Sequence, residues 1–225
     1  MSHSLRAALF DLDGTLVDSL HDIGAAMNHA LSTHGLPPHS LSAYRHFVGD
    51  GVQMLTARSV PEAHAHARES VLATFRAFYA EHMLEQTRPF PGILPMLERL
   101  AAEGVKLAVL SNKPDAATRR MVAALLPGVR FDAVYGERAG VPRKPDPTAA
   151  LGVAAELGVE PSACAFIGDT SVDMDTARAA GMYGVGVTWG FRDEEELRTH
   201  RARVIARSVE ELLRQLLALP RALAS

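Results

Sequence analysis

Short apolar runs that alternate with helical stretches are the feature that most constrains how this chain folds. Each run has the length of a β-strand, and prolines stand where several of the helical stretches begin. Strands that alternate with helices predict an α/β fold, in which a parallel sheet is covered by helices on both faces. The runs cover residues 5–10, 105–110, 131–134, 163–167, 183–188 and 203–206, and the helical stretches cover 114–126, 147–157 and 171–180.

The segment from residue 16 to residue 86 interrupts this alternation, because it contains no convincing strand. Apolar residues such as Leu20 and Ile23 recur there at helical spacing. The segment is too long to be a simple crossover connection between two strands. We therefore predict that residues 16–86 form a helical cap domain, inserted into a Rossmann-like catalytic core of residues 1–15 and 87–225.

Composition limits the partners and the compartment that we expect. The 225 residues carry a formal net charge of −3, which gives no electrostatic case for binding nucleic acid or an anionic membrane. No apolar stretch approaches the roughly 20 residues that span a bilayer, and the apolar run near the amino terminus is too short for a signal peptide. The single cysteine, Cys164, excludes an intrachain disulfide. We therefore expect a cytoplasmic protein, monomeric or homodimeric, that binds neither nucleic acid nor membranes.

Two acidic residues follow the first predicted strand directly. Asp11 and Asp13 are two positions apart, so the period-two alternation of a strand aims both carboxylates to the same side. Gly14 then permits a sharp turn. An ordinary Asp-Gly turn is one interpretation. The other is a functional pair at the sheet edge where α/β proteins bind ligands, able to hold a hard cation or to supply a nucleophile and a proton carrier.

Further polar residues follow the later strands of the predicted sheet. Ser111 and Asn112 end the second core strand, Lys144 lies in a proline-rich loop, and Asp169 and Asp173 follow a later strand. Each has a simpler explanation alone, as a helix cap, a surface lysine or acids that suit a helix dipole. Together they would gather carboxylates, hydroxyls and an ammonium at one edge of the sheet. Such a cluster is what a site for phosphate and Mg²⁺ requires.

Lysine is scarce in this chain, which uses arginine for most of its positive charges. Only Lys106, Lys113 and Lys144 occur among 23 basic residues. A lysine retained in such a chain indicates a position that favours a compact ammonium over a guanidinium. This weak signal favours two of the three lysines, those beside the polar motifs.

These motifs, in this order, resemble those of the haloacid dehalogenase-like hydrolase superfamily, and the match spans nearly the whole chain. The helical insertion after the first motif is similar to that of the phosphoglycolate phosphatases, as are the local runs at residues 143–147 and 188–192. The motifs that carry the resemblance are Asp-Leu-Asp-Gly-Thr-Leu-Val-Asp-Ser at residues 11–19, Ser111, Lys144, and Gly168-Asp169 with Asp173.

The resemblance implies a Mg²⁺-dependent phosphatase that hydrolyses small phosphate monoesters, most simply 2-phosphoglycolate, through an aspartyl-phosphate. Asp11 would be the nucleophile, and Asp13 would protonate the leaving alkoxide and then activate water. Asp11, the backbone carbonyl of Asp13 and Asp169 would bind Mg²⁺. Asp173 would either support the metal or orient Lys144, and Thr15 would support the first-motif loop.

The resemblance also assigns residues that hold the substrate. Ser111, Asn112 and Lys144 would bind the phosphate oxygens. In the predicted cap, Arg45 and Gln53 offer polar groups that could meet the carboxylate of a small substrate. We expect a small-molecule phosphate ester as the partner of this site.

Other activities of the superfamily stay open at this point. A sugar-phosphate mutase, a pyrophosphatase or a broad-specificity phosphatase would use the same core residues. A non-catalytic phosphate-binding protein is the alternative from a different class. Metal-free dehalogenases lack the second aspartate of the first motif, whereas Asp13 is present here. Phosphonoacetaldehyde hydrolases use a cap lysine, and no lysine precedes Lys106.

Overall fold

The computed structural model describes residues 5–219 and shows the predicted alternation of strands and helices. Residues 1–4 and 220–225, the two ends of the predicted core, lie outside the described residues. The strands are β1 (Ala7–Phe10), β2 (Val17–Asp18), β3 (Arg88–Pro89), β4 (Lys106–Pro114), β5 (Ala133–Glu137), β6 (Cys164–Gly168), β7 (Tyr183–Val187) and β8 (Val204–Ala206). The α-helices are α1 (Leu20–Thr33), α2 (Leu41–Phe47), α3 (Val52–Ser59), α4 (Arg68–His82), α5 (Ile93–Ala102), α6 (Asp115–Leu125), α7 (Thr148–Glu156), α8 (Ser171–Ala179), α9 (Glu194–Thr199) and α10 (Val209–Ala218).

Six strands form one sheet in the order β5-β4-β1-β6-β7-β8, and every neighbouring pair is parallel. The first strand is therefore central, with Leu9 paired to Ala108 on one side and to Phe166 on the other. Leu9 and Phe10 pack into separate apolar clusters on the two faces of the sheet, as the alternation of a strand requires. The predicted α/β fold with a Rossmann-like parallel sheet is confirmed.

Two details differ from the sequence-based prediction. β4 continues to Pro114 instead of ending at residue 110, because Pro114 pairs with Glu137 after an irregular register. The expectation that residues 16–86 contain no strand is wrong at β2, which forms a short antiparallel ribbon with β3. Strands of two residues are too short to show a periodic pattern, so the sequence carries no signal for them.

Four α-helices, α1 to α4, lie between the ribbon strands, as the helical spacing predicts. α1 packs against α4, and the contact buries Met27 and Phe75 within the same apolar cluster as the core strands. The buried carboxylate of Asp22 on α1 accepts hydrogen bonds from the backbone N–H groups of Gln86 and Thr87, at 2.9–3.0 Å. This link fixes the point where the chain returns to β3. Within residues 5–219, no helix is long and apolar enough to cross a bilayer.

Candidate active site

Three carboxylates meet at the carboxyl edge of the sheet. Asp11 follows the central strand β1, Asp169 follows its neighbour β6, and Asp173 lies in the first turn of α8. One oxygen from each lies within 4.8 Å of the others, and all three side chains are buried. Asp173 also closes a capping box with Thr170 at the amino end of α8. The hydrogen bonds that cap α8 therefore also fix the Asp173 carboxylate within the cluster.

Lys144 is the cation that faces this cluster. Its Nζ lies 3.1 Å from Asp11 Oδ1 and donates to Asp173 Oδ1 at 2.6 Å. Asn112 fixes the lysine backbone, because its Oδ1 accepts from Lys144 N at 2.9 Å and its Nδ2 donates to the Lys144 carbonyl at 3.0 Å. Ser111 is buried and lines the adjacent cavity. The structure thus brings the three predicted phosphate-binding residues together, with the Asn112 amide engaged on Lys144.

Negative charge exceeds positive charge in this buried cluster, since one ammonium faces three carboxylates. Burial raises the pKa of Asp11 to about 6; Lys144 opposes this shift and Asp173 adds to it. Burial, followed by Asp173 and Asp11, raises the pKa of Asp169 well above its ordinary value. Burial alone would lower the pKa of Lys144, but Asp11 and Asp173 hold it above its ordinary value. A set of carboxylate oxygens with excess negative charge fits a hard divalent cation.

The two carboxylate oxygens of Asp169 accept hydrogen bonds from Thr15 and from a backbone N–H group. Its Oδ1 accepts from Thr15 Oγ1 at 2.9 Å, and its Oδ2 accepts from Phe191 N at 2.7 Å. Gly14 has φ of 82°, and a Cβ there would lie 2.3 Å from Asp169 Oδ2. A Cβ at Gly190 would lie 2.4 Å from the Asp169 side chain. Neither loop has room for a side chain, so both glycines allow the close approach that orients the acid.

Asp13 is held by a second, separate set of hydrogen bonds. Ser19 Oγ donates to its Oδ1 at 2.6 Å, and Lys113 Nζ donates to both carboxylate oxygens at 3.0 Å. Lys113 is buried, and its ammonium also donates to the Tyr79 hydroxyl at 2.7 Å. Sequence reasoning did not assign Lys113 to the site. The scarcity of lysine in the chain favoured this residue, but no role in the site followed from that signal alone.

Arg45 and Gln53, the predicted cap contacts, are engaged elsewhere. Arg45 Nη2 donates to the Gly190 carbonyl at 2.5 Å, and Gln53 Oε1 accepts from Arg143 Nη1 at 2.8 Å. Both side chains belong to exposed residues, and neither lines the cavity beside Asp11. Their predicted contact with substrate stays a prediction.

A cavity of about 600 Å³ opens beside Asp11 and Asp13. Its floor carries the polar groups at the ends of β1 and β4, and its opposite wall is formed by α1, α3 and α4. That wall is largely apolar, with Leu55, Phe75 and Met83 among its side chains. Three further arginines, to which the sequence analysis gave no role, also line the cavity: Arg76, Arg120 and Arg138.

Comparison with known proteins agrees with this geometry. Residues 8–187 match the family model described as haloacid dehalogenase-like hydrolase. The chain is 38% identical over 192 residues to a phosphoglycolate phosphatase of Pseudomonas putida, covering 83% of this chain and 70% of that protein. It is 33% identical over 219 residues to phosphoglycolate phosphatase 1 of Pseudomonas aeruginosa, covering 92% of this chain and 78% of that one.

Solved structures show the same architecture. A crystal structure from Lactobacillus delbrueckii subsp. bulgaricus superposes with a TM-score of 0.90 at 35% identity, covering 97% of this chain and 100% of that one. A haloacid dehalogenase-like family protein from Streptococcus pneumoniae gives a TM-score of 0.86 at 26% identity, covering 94% and 98%. The resemblance inferred from the motifs is therefore confirmed, and the chain belongs to the haloacid dehalogenase-like hydrolase family.

Proposed function

We propose that the protein is a Mg²⁺-dependent phosphatase that hydrolyses small phosphate monoesters, including 2-phosphoglycolate, through an aspartyl-phosphate on Asp11. The observation that carries the proposal is the position of the Asp11 carboxylate. It lies between the Lys144 ammonium and two further buried carboxylates, and it lines the cavity. The names of the curated relatives support 2-phosphoglycolate as a substrate.

Asp11, Asp169 and Asp173 would hold the Mg²⁺ ion, together with the backbone carbonyl of Asp13. When bound, the ion supplies positive charge that lets an anionic nucleophile approach an anionic phosphate. The 2.6 Å contact between Asp173 and Lys144 means that Asp173 also fixes the ammonium. In this proposal Asp173 therefore both supports the metal and orients Lys144.

Asp11 acts as the nucleophile in this proposal. Its Oδ1 accepts from Leu12 N at 2.7 Å and lies 3.1 Å from Lys144 Nζ, so the carboxylate is oriented before substrate binds. A carboxylate oxygen attacks phosphorus, and the bond from phosphorus to the leaving oxygen breaks. Water then attacks the same phosphorus, which releases phosphate and restores the Asp11 carboxylate.

Asp13 moves the proton in both steps. It protonates the leaving alkoxide in the first step and takes a proton from the attacking water in the second. Ser19 and Lys113 fix the orientation of its carboxylate. Lys144 and Ser111 contact the phosphate oxygens, while Asn112 positions Lys144 through its backbone.

Residues 16–86 act as the cap in this proposal, and residues 1–15 with 87–225 act as the core. The support is that α1, α3 and α4 supply the cavity wall that faces the catalytic residues. A wall of this kind excludes water during phosphoryl transfer and selects the leaving group. The cytoplasmic location and the oligomeric state stay predictions from composition.

Phosphate release from a panel of phosphate esters and pyrophosphate, with Mg²⁺ and with EDTA, tests the proposal. The panel contains 2-phosphoglycolate, glucose phosphates, pyrophosphate and nucleotides, so that a pyrophosphatase or a broad-specificity phosphatase is also detected. We expect Mg²⁺-dependent release from 2-phosphoglycolate. No release from any ester by a folded protein in Mg²⁺ would contradict the proposed function and favour a phosphate-binding protein.

A further inference from the structure

The cavity beside Asp11 is much larger than a glycolate leaving group requires. Its volume of about 600 Å³ lies in the range of pockets that enclose drug-sized ligands, roughly 300–1,000 Å³. Glycolate is a two-carbon hydroxy acid and would leave most of this space to water. The size of the cavity therefore indicates leaving groups with a larger body.

The chemistry of the wall indicates what that body is. Leu55 of α3, Phe75 of α4 and Met83, directly after α4, present apolar surface toward the catalytic floor. Phe75 and Met83 are eight positions apart, and Tyr79 between them also lines the cavity, so one face of α4 forms this part of the wall. Apolar surface of this extent favours a substrate that carries hydrocarbon or ring carbons.

Cationic side chains stand beside the apolar wall. Arg76 lies on α4, and Arg120 of α6 donates from Nη1 to the carbonyl of Ala80, one helical turn beyond Arg76. Arg120 is therefore held at the stretch of α4 that carries Arg76, and both residues line the cavity. Within residues 5–219, the Arg76 side chain has no hydrogen bond or ion pair, and the Arg120 side chain has only the bond to Ala80.

The acids of the cavity do not neutralise these arginines. Asp11 is paired with Lys144 and Asp13 with Lys113, while Glu137 lies 3.7 Å from Arg143. Arg76 and Arg120 are exposed residues that line the cavity, so they place positive charge without an acidic partner at its solvent-facing side. A guanidinium matches a carboxylate in shape and charge and binds it with two parallel hydrogen bonds.

We infer that this cavity selects phosphate monoesters whose alcohol carries both an apolar body and a carboxylate, with Arg76 and Arg120 binding that carboxylate. The inference rests on the proposed phosphatase function and deepens it, because 2-phosphoglycolate is the smallest member of this substrate class. The carboxylate, and not small size, decides which esters are accepted.

A matched pair of synthetic esters tests the role of the carboxylate. Para-carboxybenzyl phosphate and benzyl phosphate share the same ring and reacting centre, and differ in the carboxylate alone. We expect the wild-type protein to favour the carboxylate ester by about tenfold in kcat/KM, the factor that a hydrogen bond to a charged group supplies. We also expect its kcat/KM to equal or exceed that for 2-phosphoglycolate.

Variants assign the effect to the two arginines. Arg76→Gln and Arg120→Gln should each reduce the preference for the carboxylate ester while leaving kcat/KM for benzyl phosphate nearly unchanged. Arg119→Gln is the control, because Arg119 neighbours Arg120 on α6, pairs with Asp115 and does not line the cavity. Equal kcat/KM values for the matched esters, or a preference that survives in both variants, would overturn the carboxylate site. A preference of more than tenfold for 2-phosphoglycolate over every larger carboxylate ester would overturn the inference about size.

Binding separates this inference from the proposed reaction. Para-carboxybenzylphosphonate and benzylphosphonate cannot be hydrolysed, so their Kd values in Mg²⁺ are measurable by calorimetry whether or not the protein is a phosphatase. Tighter binding of the carboxylate compound, lost in Arg76→Gln, would support the site even if no ester were turned over. Equal Kd values with normal hydrolysis of benzyl phosphate would refute the site and leave the phosphatase function standing.

Discussion

Lys113 donates hydrogen bonds to both carboxylate oxygens of Asp13, each at 3.0 Å. The same ammonium donates to the hydroxyl of Tyr79, a residue of α4, at 2.7 Å. Burial raises the pKa of Tyr79 to about 12, so the hydroxyl keeps its proton at neutral pH and accepts through a lone pair. Asp13 is therefore oriented by a strand of the sheet and, through Lys113, by a helix of the opposite wall.

The first prediction concerns that lysine. Lys113→Met keeps a long side chain but removes the three hydrogen bonds, so Asp13 loses a fixed orientation. We expect kcat for phosphate release to fall by about 10²-fold, within the usual range for a misplaced acid-base group. Lys106→Met is the matched control, because Lys106 lies on the same strand and bonds to the Leu157 carbonyl, away from the site. Equal kcat values for the two variants would refute the role given to Lys113.

The second prediction concerns the nucleophile. Asp11→Asn should abolish turnover, because an amide keeps the shape of the carboxylate but does not attack phosphorus. The metal-free variant should be at least as stable as the wild type, since the substitution removes one of three crowded, buried negative charges. Phosphate release and thermal unfolding in EDTA measure the two effects. Asp18→Asn, at an exposed position of the same motif, should leave both unchanged. Substantial turnover by a verified Asp11→Asn protein would exclude the aspartyl-phosphate.

The third prediction links metal binding to pH. In the folded protein, the pKa is raised to about 6 for Asp11 and well above 3.8 for Asp169. Folding therefore favours the protonated form of each acid, and the contribution of these acids to stability is greatest below the ordinary pKa of 3.8. That contribution is lost in the metal-free protein as the pH rises through about 6. Mg²⁺ binds the ionised carboxylates, so it should raise Tm more at about pH 7.5 than at about pH 5. Thermal unfolding in Mg²⁺ and in EDTA measures the difference. A Tm that does not respond to Mg²⁺ at either pH would argue against the metal site.

The fourth prediction concerns the return of the chain to β3. Asp22 accepts from two backbone N–H groups and from Thr87 Oγ1. In Asp22→Asn, the amide NH₂ would face donors, so buried N–H groups would lose their acceptor. We expect the free energy of unfolding to fall by about 2 kcal/mol. Urea denaturation measures it, with Asp18→Asn as the control at an exposed acid. A loss within experimental error would show that the link does not stabilise the fold.

The fifth prediction concerns substrate ranking. We expect higher kcat/KM for 2-phosphoglycolate than for glucose phosphates, nucleotides or phosphopeptides, because the first two lack a carboxylate and a phosphopeptide is too large for a cavity of about 600 Å³. Arg45 bonds to the Gly190 carbonyl, one residue before the N–H that binds Asp169. Arg45→Gln should therefore lower kcat/KM for all esters by a similar factor. A selective loss with 2-phosphoglycolate would instead support the substrate contact predicted for Arg45 from the sequence.

The sequence predicts that these polar residues cluster at one edge of the sheet, because its signals are local. Asp11 and Asp13 follow an apolar run directly, and Asp173 lies four residues after Asp169 across a strand-to-helix junction. In each case the element that positions the side chain is adjacent in the chain. Parallel strands then bring these junctions together, because their carboxyl ends meet at one edge of the sheet.

The opposite wall could not be predicted in the same way. Lys113 meets Tyr79 across 34 positions of the sequence. This contact depends on how α4 packs over the sheet, which helical spacing alone does not determine. The same limit explains Arg45 and Gln53, which lie on α2 and α3 and whose side chains bond to Gly190 and Arg143. Nothing in the sequence distinguishes Arg76 from the other arginines, because only the packing of α4 places it at the cavity.

The crowding of Asp169 between Gly14 and Gly190 has a consequence for how new specificities arise on this scaffold. Substitution at either glycine forces atoms into the acid itself, so the reacting edge tolerates little change. Within the described residues, Phe75, Arg76 and Met83 line the cavity from α4 and its carboxyl end, and none of them bonds to the three carboxylates. We therefore expect substitutions at these three positions to change substrate choice while the reacting carboxylates are kept. A mutant library confined to them is an efficient source of new specificities.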